Sequence, residues 1–409
     1  MSLLKKIKKI IGPSIITGAS DDDPSGIATY SQAGAGYGLQ MLWMAIVTFP
    51  MMVTIQEMCA RIGLVTRMGL TGLLKKYYPR WVMGLMLVFS FPAIILNVSA
   101  NLSGMGAVGN MLFPKIPANG FSVLISGLLL FLMIRLPYRK IANILQFLCL
   151  SLICYIAVPF FVNINWGDVL MATFVPDFNI DQSSISIMVA ILGTTISPYL
   201  FFWQTSMEVE EAEERHIMVN KHLLGIVDND IKVGMFFSNL IFFFIALTAG
   251  VVLFPAGIRD IQTVDQAALA LKPLLGSKAY ILFAIGIFGT GFLAIPVLTG
   301  SISYMISEVF NWPEGLSKKW YEAKGFYMVM SLSIFLALLI NFAGINPMKA
   351  LIYTAIGYGI TAPVLIAIIL HICNNKKIMG DYTNNKMSNF FGVITLIIMS
   401  VAAILMLIV

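Results

Sequence analysis

Eleven predominantly apolar stretches, most of them about the length that spans a bilayer, follow one another along this 409-residue chain. Lipid offers a backbone no hydrogen-bond partner, so about 20 apolar residues cross the ~30 Å hydrocarbon core as a helix bonded to itself. The runs predict membrane helices over 12–37, 41–62, 82–113, 119–137, 141–163, 185–207, 230–254, 279–307, 326–343, 350–372 and 388–409. Only 11% of residues are charged and 58% are hydrophobic, against roughly 25% charged in a soluble domain. That excludes a soluble enzyme. The expected class is an all-α integral membrane protein forming a single transmembrane domain over 1–409.

The formal charge of +6 sits in short loops between the apolar runs. It therefore reads as a topology signal, with the lipid bilayer as partner and no nucleic acid. Lys5, Lys6, Lys8, Lys9, Arg61, Arg67, Lys75, Lys76, Arg80, Arg135, Arg139, Lys140, Arg215, Lys221, Lys318, Lys319, Lys324, Lys376, Lys377 and Lys386 fall on one side. Lys115, Arg259, Lys272, Lys278 and Lys349 fall on the other. The positive-inside rule then predicts a cytoplasmic N-terminus and an extracellular C-terminus, with a prokaryotic plasma membrane as the default location. Cys59, Cys149, Cys154 and Cys373 are isolated and form no CxxC pair, so neither a disulfide framework nor a cysteine zinc site is expected.

Helix 1 carries Ser20-Asp21-Asp22-Asp23-Pro24-Ser25-Gly26 at its middle. Each carboxylate at a membrane centre costs roughly 2.5–3.5 kcal/mol on insertion scales, so three together demand a function. Pro24 removes a backbone donor and disfavours helix at Asp23, and Gly26 permits unusual dihedrals. The helix should unwind there and free carbonyls as ligands; the structural alternative, which would coexist with metal binding, is Asp23 as an N-cap with Pro24 at the first helical position. Helix 6 repeats the device with Gly193-Thr194-Thr195-Ile196-Ser197-Pro198-Tyr199. Breaks at Pro24 and Pro198, in the first and sixth helices, occupy matching places in two five-helix halves. That spacing points to an inverted-repeat transporter with a midplane site.

Carboxylates, hydroxyls and unwound carbonyls suit hard cations such as Mg²⁺, Mn²⁺ or Ca²⁺. His216, His222 and His371 lie at or beyond helix ends and no cysteine lies at either break, so imidazole and thiolate ligands are missing from the midplane. Glu57 lies four residues before Arg61 and is expected to pair with it along the helix. Asp168, Asp177 and Asp181 are expected in an outer loop near 164–184, with no basic residue among them. Glu208, Glu210, Glu211, Glu213 and Glu214 come after helix 6 on the inner side, as an exit funnel or a solvated connector.

Gly12-Pro13 leading to Asp23-Pro24-Ser25-Gly26-Ile27-Ala28-Thr29 and Gln32-Ala33-Gly34-Ala35 resembles the helix-1 signature of Nramp metal transporters. Lys376-Lys377-Ile378-Met379-Gly380 also resembles that family's pattern. The resemblance implies a LeuT-like fold of five plus five inverted helices with discontinuous helices 1 and 6. The first repeat would span about 12–163, the second about 185–372, and an extra helix about 388–409.

In that family an Asp-Pro-Gly-Asn motif and a Met-Pro-His motif supply the ligands and a proton-linked histidine. Asp23 matches the aspartate, whereas Gly26, Ser197 and Tyr199 stand at the asparagine, methionine and histidine positions. Backbone carbonyls of Ser20 and Thr194 match carbonyl ligands, and Thr361 matches a helix-10 glutamine. Asp22 completes the implied metal set, and Tyr199, Asp21 and Gln204 are candidates for the gate or pathway. Losing the methionine removes the soft ligand that disfavours alkaline-earth ions, which makes the chain look like Nramp-related magnesium transporters. Smaller side chains imply room for a partly hydrated ion. The family's acidic pair on helix 3 aligns with Val98 and Asn101, which implies weak or absent proton coupling.

The expected function is therefore transport of a divalent metal ion as substrate, by alternating access and with no resident cofactor. The alternative in the same architecture is an amino-acid or organic-solute symporter, whose substrate carboxylate three aspartates would repel. An enzyme would need a nucleophile or an acid–base pair inside the bundle, and none is visible.

Overall fold

The computed structural model describes residues 18, 21–136, 150–177, 181–216 and 218–408. The basic N-terminus, Ser20, Cys149 and residues 141–149 of the run expected over 141–163 lie outside the described residues; the rest of that run forms a 3-10 turn (Leu150–Leu152), a short helix (Ile153–Ala157) and a second 3-10 turn (Val158–Phe161) rather than one continuous helix. The long helices are α1 (Pro24–Tyr37), α2 (Trp43–Thr66), α3 (Leu70–Tyr77), α4 (Arg80–Leu112), α5 (Ala118–Arg135), α6 (Gln182–Thr195) and α7 (Pro198–Glu214). They continue with α8 (Lys221–Val252), α9 (Ala279–Phe310), α10 (Lys324–Asn341), α11 (Pro347–Asn374) and α12 (Lys386–Ile408). Among the described residues there is no strand, and nine spans are long and apolar enough to cross a membrane, α6 and α7 together forming one.

Most boundaries fall within three residues of the hydropathy expectation. α8 begins nine residues before the expected position 230. Its first turns carry Lys221, His222, Asp228 and Asp230, which lower hydropathy without opposing helix, and the Asn220 side chain caps Leu223 N at 2.8 Å. The expected outer loop contains a helix, Trp166–Phe174, capped by Asn165 on Gly167 N at 3.0 Å. In the same region Asp177 accepts from Gln40 Nε2 at 3.3 Å.

Glycine sets how closely the site-bearing helices approach. A Cβ on Gly34 of α1 would lie 2.1 Å from the Ala246 carbonyl of α8. On α6, a Cβ at Gly193 would lie 2.0 Å from the Ala355 carbonyl of α11 and 2.3 Å from Gly359 N. In lipid such small-residue seams replace the hydrophobic effect as the source of packing energy.

Glu57 and Arg61 form the expected i,i+4 pair at 2.9 Å. Arg61 also donates to the carbonyls of Tyr382 (3.3 Å) and Thr383 (3.1 Å) and to Asn384 Oδ1 (2.6 Å), tying α2 to the segment before α12.

At the same end of the bundle, Glu213 and Glu214 line a cavity of about 610 Å³ with Glu308 and Glu314. Glu210 is a tie between elements: it accepts from the Tyr304 hydroxyl (2.5 Å), Leu316 N (3.1 Å) and Ser317 N (2.6 Å). Glu211 pairs with Arg215 at 2.8 Å. Glu314 lies in the loop after α9, where burial and then the neighbouring charge of Glu308 push its carboxyl up to about 9 from an ordinary 4.5. Lys318 opposes that rise, and Glu210 and Glu213 reinforce it. The folded chain therefore keeps this proton where the unfolded chain has released it, and stability falls as pH rises through that window. Thermal unfolding of the purified protein between about pH 5 and 9 should show a falling midpoint, and Glu314→Gln should flatten the slope. An equal slope in the variant would assign the pH dependence to other groups.

Candidate ion site at two helix breaks

The sequence Asp-Asp-Asp-Pro folds locally as its chemistry dictates. Asp21 is helical, Asp22 lies in a bend, and Asp23 is extended at φ −68° and ψ 170° with Pro24 opening α1. Asp23 Oδ1 caps α1 by accepting from Gly26 N at 2.9 Å, and it also accepts from Ser25 Oγ at 2.6 Å. Asp23 Oδ2 accepts from Asn97 Nδ2 and Asn101 Nδ2, each at 3.0 Å, both one turn apart on α4. The carboxylate is thus fixed by four neutral donors while only 1% exposed.

Asp21 and Asp22 turn toward α8 instead. Ser238 Oγ lies 2.9 Å from Asp21 Oδ2 and 3.3 Å from Asp22 Oδ1. A hydroxyl has one proton, so it serves one of these carboxyls at a time. Asp21 Oδ1 is buried without a hydrogen-bond partner.

The second break faces the first. α6 ends at Thr195, Ile196 leaves the helix at φ −120° and ψ 61°, and Ser197 precedes Pro198 at the start of α7. Gly26 marks where the two breaks meet: a Cβ there would lie 3.3 Å from Thr194 Oγ1, 3.3 Å from the Tyr30 ring and 3.4 Å from the Asp21 carbonyl. A side chain at position 26 would therefore press on its neighbours. Ser197 turns back on its own break, donating to the carbonyls of Thr194 (2.7 Å) and Gly193 (3.1 Å).

Aromatic rings wall the site. Tyr199 is buried with its ring centroid 5.7 Å from that of Tyr358 on α11, and its carbonyl accepts from Ser301 Oγ at 2.9 Å. Tyr30 packs on Phe242 of α8 at 4.5 Å.

Two sequence candidates stand apart from this cluster. Thr361 donates to the Gly357 carbonyl at 3.0 Å and lines an apolar cavity of about 450 Å³ with Pro92, Leu96 and Tyr353. Tyr358 is the α11 residue turned toward the site, and Thr354, two turns before Thr361 and lining the same cavity, has its Oγ1 3.3 Å from Asn97 Oδ1. Gln204 sits about 10 Å along α7 from Ser197, donating to Glu208 Oε1 at 2.8 Å. Residues missed from the sequence are Asn97, Ser238, Tyr30 and Tyr358. For Asn97 a signal existed, since carboxamides four apart in an apolar span share one helix face.

The family model described as natural resistance-associated macrophage protein-like matches residues 14–409. The divalent metal cation transporter MntH of Verminephrobacter eiseniae is 25% identical over 386 residues, 91% of this chain and 83% of its own. MntH of Caldanaerobacter subterraneus is 24% identical over 396 residues, 96% of this chain and 90% of its own. In fold, the chain is similar to the manganese transporter of Eremococcus coleocola, with a TM-score of 0.79 at 16% identity over 98% of this chain and 86% of that one. MhsT, solved in complex with L-phenylalanine, gives 0.58 at 13% identity over 96% and 97%. The architecture is the LeuT-like one, with helices 1 and 6 broken. A match over nearly the whole length places this multi-pass membrane protein in the Nramp (natural resistance-associated macrophage protein) family, whose members are metal transporters and not enzymes.

Proposed function

We propose that this chain carries divalent cations, Mn²⁺ or Mg²⁺, across the plasma membrane by alternating access, with Asp23 as the anionic ligand. The observation that carries the reading is the Asp23 carboxylate, buried where the two helix breaks meet and held by neutral donors. A divalent ion there gains a formal charge, the hydroxyls of Ser25 and Thr194 and, once Ser197 yields, the Thr194 carbonyl. All are oxygens, and an oxygen set favours hard ions. The names of the MntH relatives support a divalent cation as substrate. The N-terminus faces the cytoplasm and the C-terminus the outside, as the loop charges argue.

Coupling to protons is weak or absent in this reading, because the α4 side chains against Asp23 are carboxamides. Carboxamides do not titrate.

Mn²⁺ uptake into proteoliposomes, with Mg²⁺ and Ca²⁺ as competitors and a trapped pH dye, tests both statements. Mg²⁺ should inhibit at concentrations comparable to Mn²⁺, and the dye should stay silent. Failure of Mg²⁺ to compete would remove the hard-ion claim, and a robust metal-driven proton flux would remove the second. No metal uptake at all would turn attention to organic solutes.

A further inference from the structure

The two carboxamides on α4 look equivalent from Asp23 and differ at their other ends. Both are fully buried and both turn Nδ2 to Asp23 Oδ2 at 3.0 Å. Asn97 Oδ1 has Thr354 Oγ1 at 3.3 Å, a hydroxyl that shares its one proton with the Leu351 carbonyl at 2.8 Å. Asn101 Oδ1 is buried with no hydrogen-bond partner. An unpaired buried oxygen costs about 1–3 kcal/mol, so its retention beside the site calls for a second use.

We infer that Asn101 supplies its side-chain oxygen to the transported ion next to Asp23, an ion ligand carried by α4. The inference rests on the reading of Asp23 as the anionic ligand. A carboxamide has a donor end and an acceptor end of similar size. Rotation about its last torsion exchanges them without repacking the neighbours. With nitrogen forward, Asn101 holds the carboxylate, and with oxygen forward it coordinates a cation that the carboxylate has bound. Gly26 offers no side chain where the breaks meet, and Ser197 spends its proton on the carbonyls of its own break. Of the two carboxamides on Asp23, Asn101 is the one whose acceptor has no partner. Asn97, whose oxygen already has the Thr354 hydroxyl beside it, remains a positioning residue.

If Asn101 merely steadied Asp23, removing it would free the carboxylate and leave cation affinity unchanged or higher. A ligand role predicts the opposite sign. Titration calorimetry of the purified full-length protein with Mn²⁺ and with Mg²⁺ reads that sign. Asn101→Leu should weaken both ions by about tenfold or more, and Asn101→Asp, which keeps an oxygen and adds charge, should bind at least as tightly as wild type. In protein labelled with ¹³C-asparagine, Mn²⁺ should move a side-chain amide carbonyl band to lower wavenumber, and both Asn101 variants should lack that shift.

Unchanged or tighter binding in Asn101→Leu overturns the inference. If that variant does not fold, weakened binding in Asn101→Asp or an unmoved band in wild type does so instead. Folded wild type that binds neither ion would fell the Asp23 reading first, and this inference with it. Binding lost in Asp23→Asn and kept in Asn101→Leu would fell the Asn101 inference alone.

Discussion

Asp23→Asn should leave a folded protein that has lost divalent-cation transport. The amide oxygen can still accept from Gly26 N and Ser25 Oγ, so the cap on α1 survives. What disappears is the formal charge. Removing one partner of a buried charge pair costs about 3–5 kcal/mol, which converts to an affinity loss of about a hundredfold or more. Initial Mn²⁺ uptake and calorimetric binding should fall together, and because the new Nδ2 takes the place of Oδ2 opposite the amide donors of Asn97 and Asn101, the melting temperature should fall too, though by less than in Asp23→Ala if those amides rotate. Asp23→Ala should fail differently. It also removes the cap, worth about 1 kcal/mol, and leaves two buried amides facing nothing, at about 1–3 kcal/mol each. Its melting temperature should therefore drop further. Wild-type uptake in Asp23→Asn would remove Asp23 from the ion site.

The second large effect is mechanical. Gly193→Ala puts a methyl 2.0 Å from the Ala355 carbonyl and 2.3 Å from Gly359 N, and backbone atoms cannot swing aside as a side chain would. α6 and α11 must separate, at a cost of about 3 kcal/mol or more. Because Thr194 is the next residue, the carbonyl at the second break moves with them. Gel filtration should show aggregation or a broadened peak, and any folded fraction should melt well below wild type. Gly127→Ala on α5 is the matched control, since nothing lies within 4 Å of its added methyl. There a helical Gly→Ala change should be neutral or stabilising by about 0.5–1 kcal/mol. Equal melting temperatures for the two variants would show that the α6–α11 seam yields more easily than its geometry implies.

The breaks were legible because they depend on local chemistry. Proline after aspartate or serine in an apolar run dictates where a helix restarts, and both restarts fall at Pro24 and Pro198 as expected. Helix rotation was not legible. Thr361 and Tyr358 differ by three residues, yet one lines a lateral cavity and the other stacks beside Tyr199. Which of them faces inward depends on how α11 packs against α6, a property of glycine contacts distant in sequence. Asn101 was visible only as the place where an acidic side chain was missing. Its role as a donor to Asp23 needed α4 to be set beside the first break. The start of α8 was hidden because hydropathy reports burial in lipid and is blind to a helix whose first turns are charged.

The glycine contacts have a kinematic consequence. With α1 seated on α8 through Gly34, and α6 on α11 through Gly193, these helices cannot slide past one another in small steps. Each pair behaves as one stiff strut. The joints are the short non-helical stretches at Asp22–Asp23 and Ile196–Ser197, where backbone torsions can change without breaking a helical hydrogen-bond ladder. On the proposed reading, an ion bound where the joints meet would touch both at once. It would then act as a pin through a two-bar linkage, so that filling or emptying one small site would constrain the relative motion of four long helices.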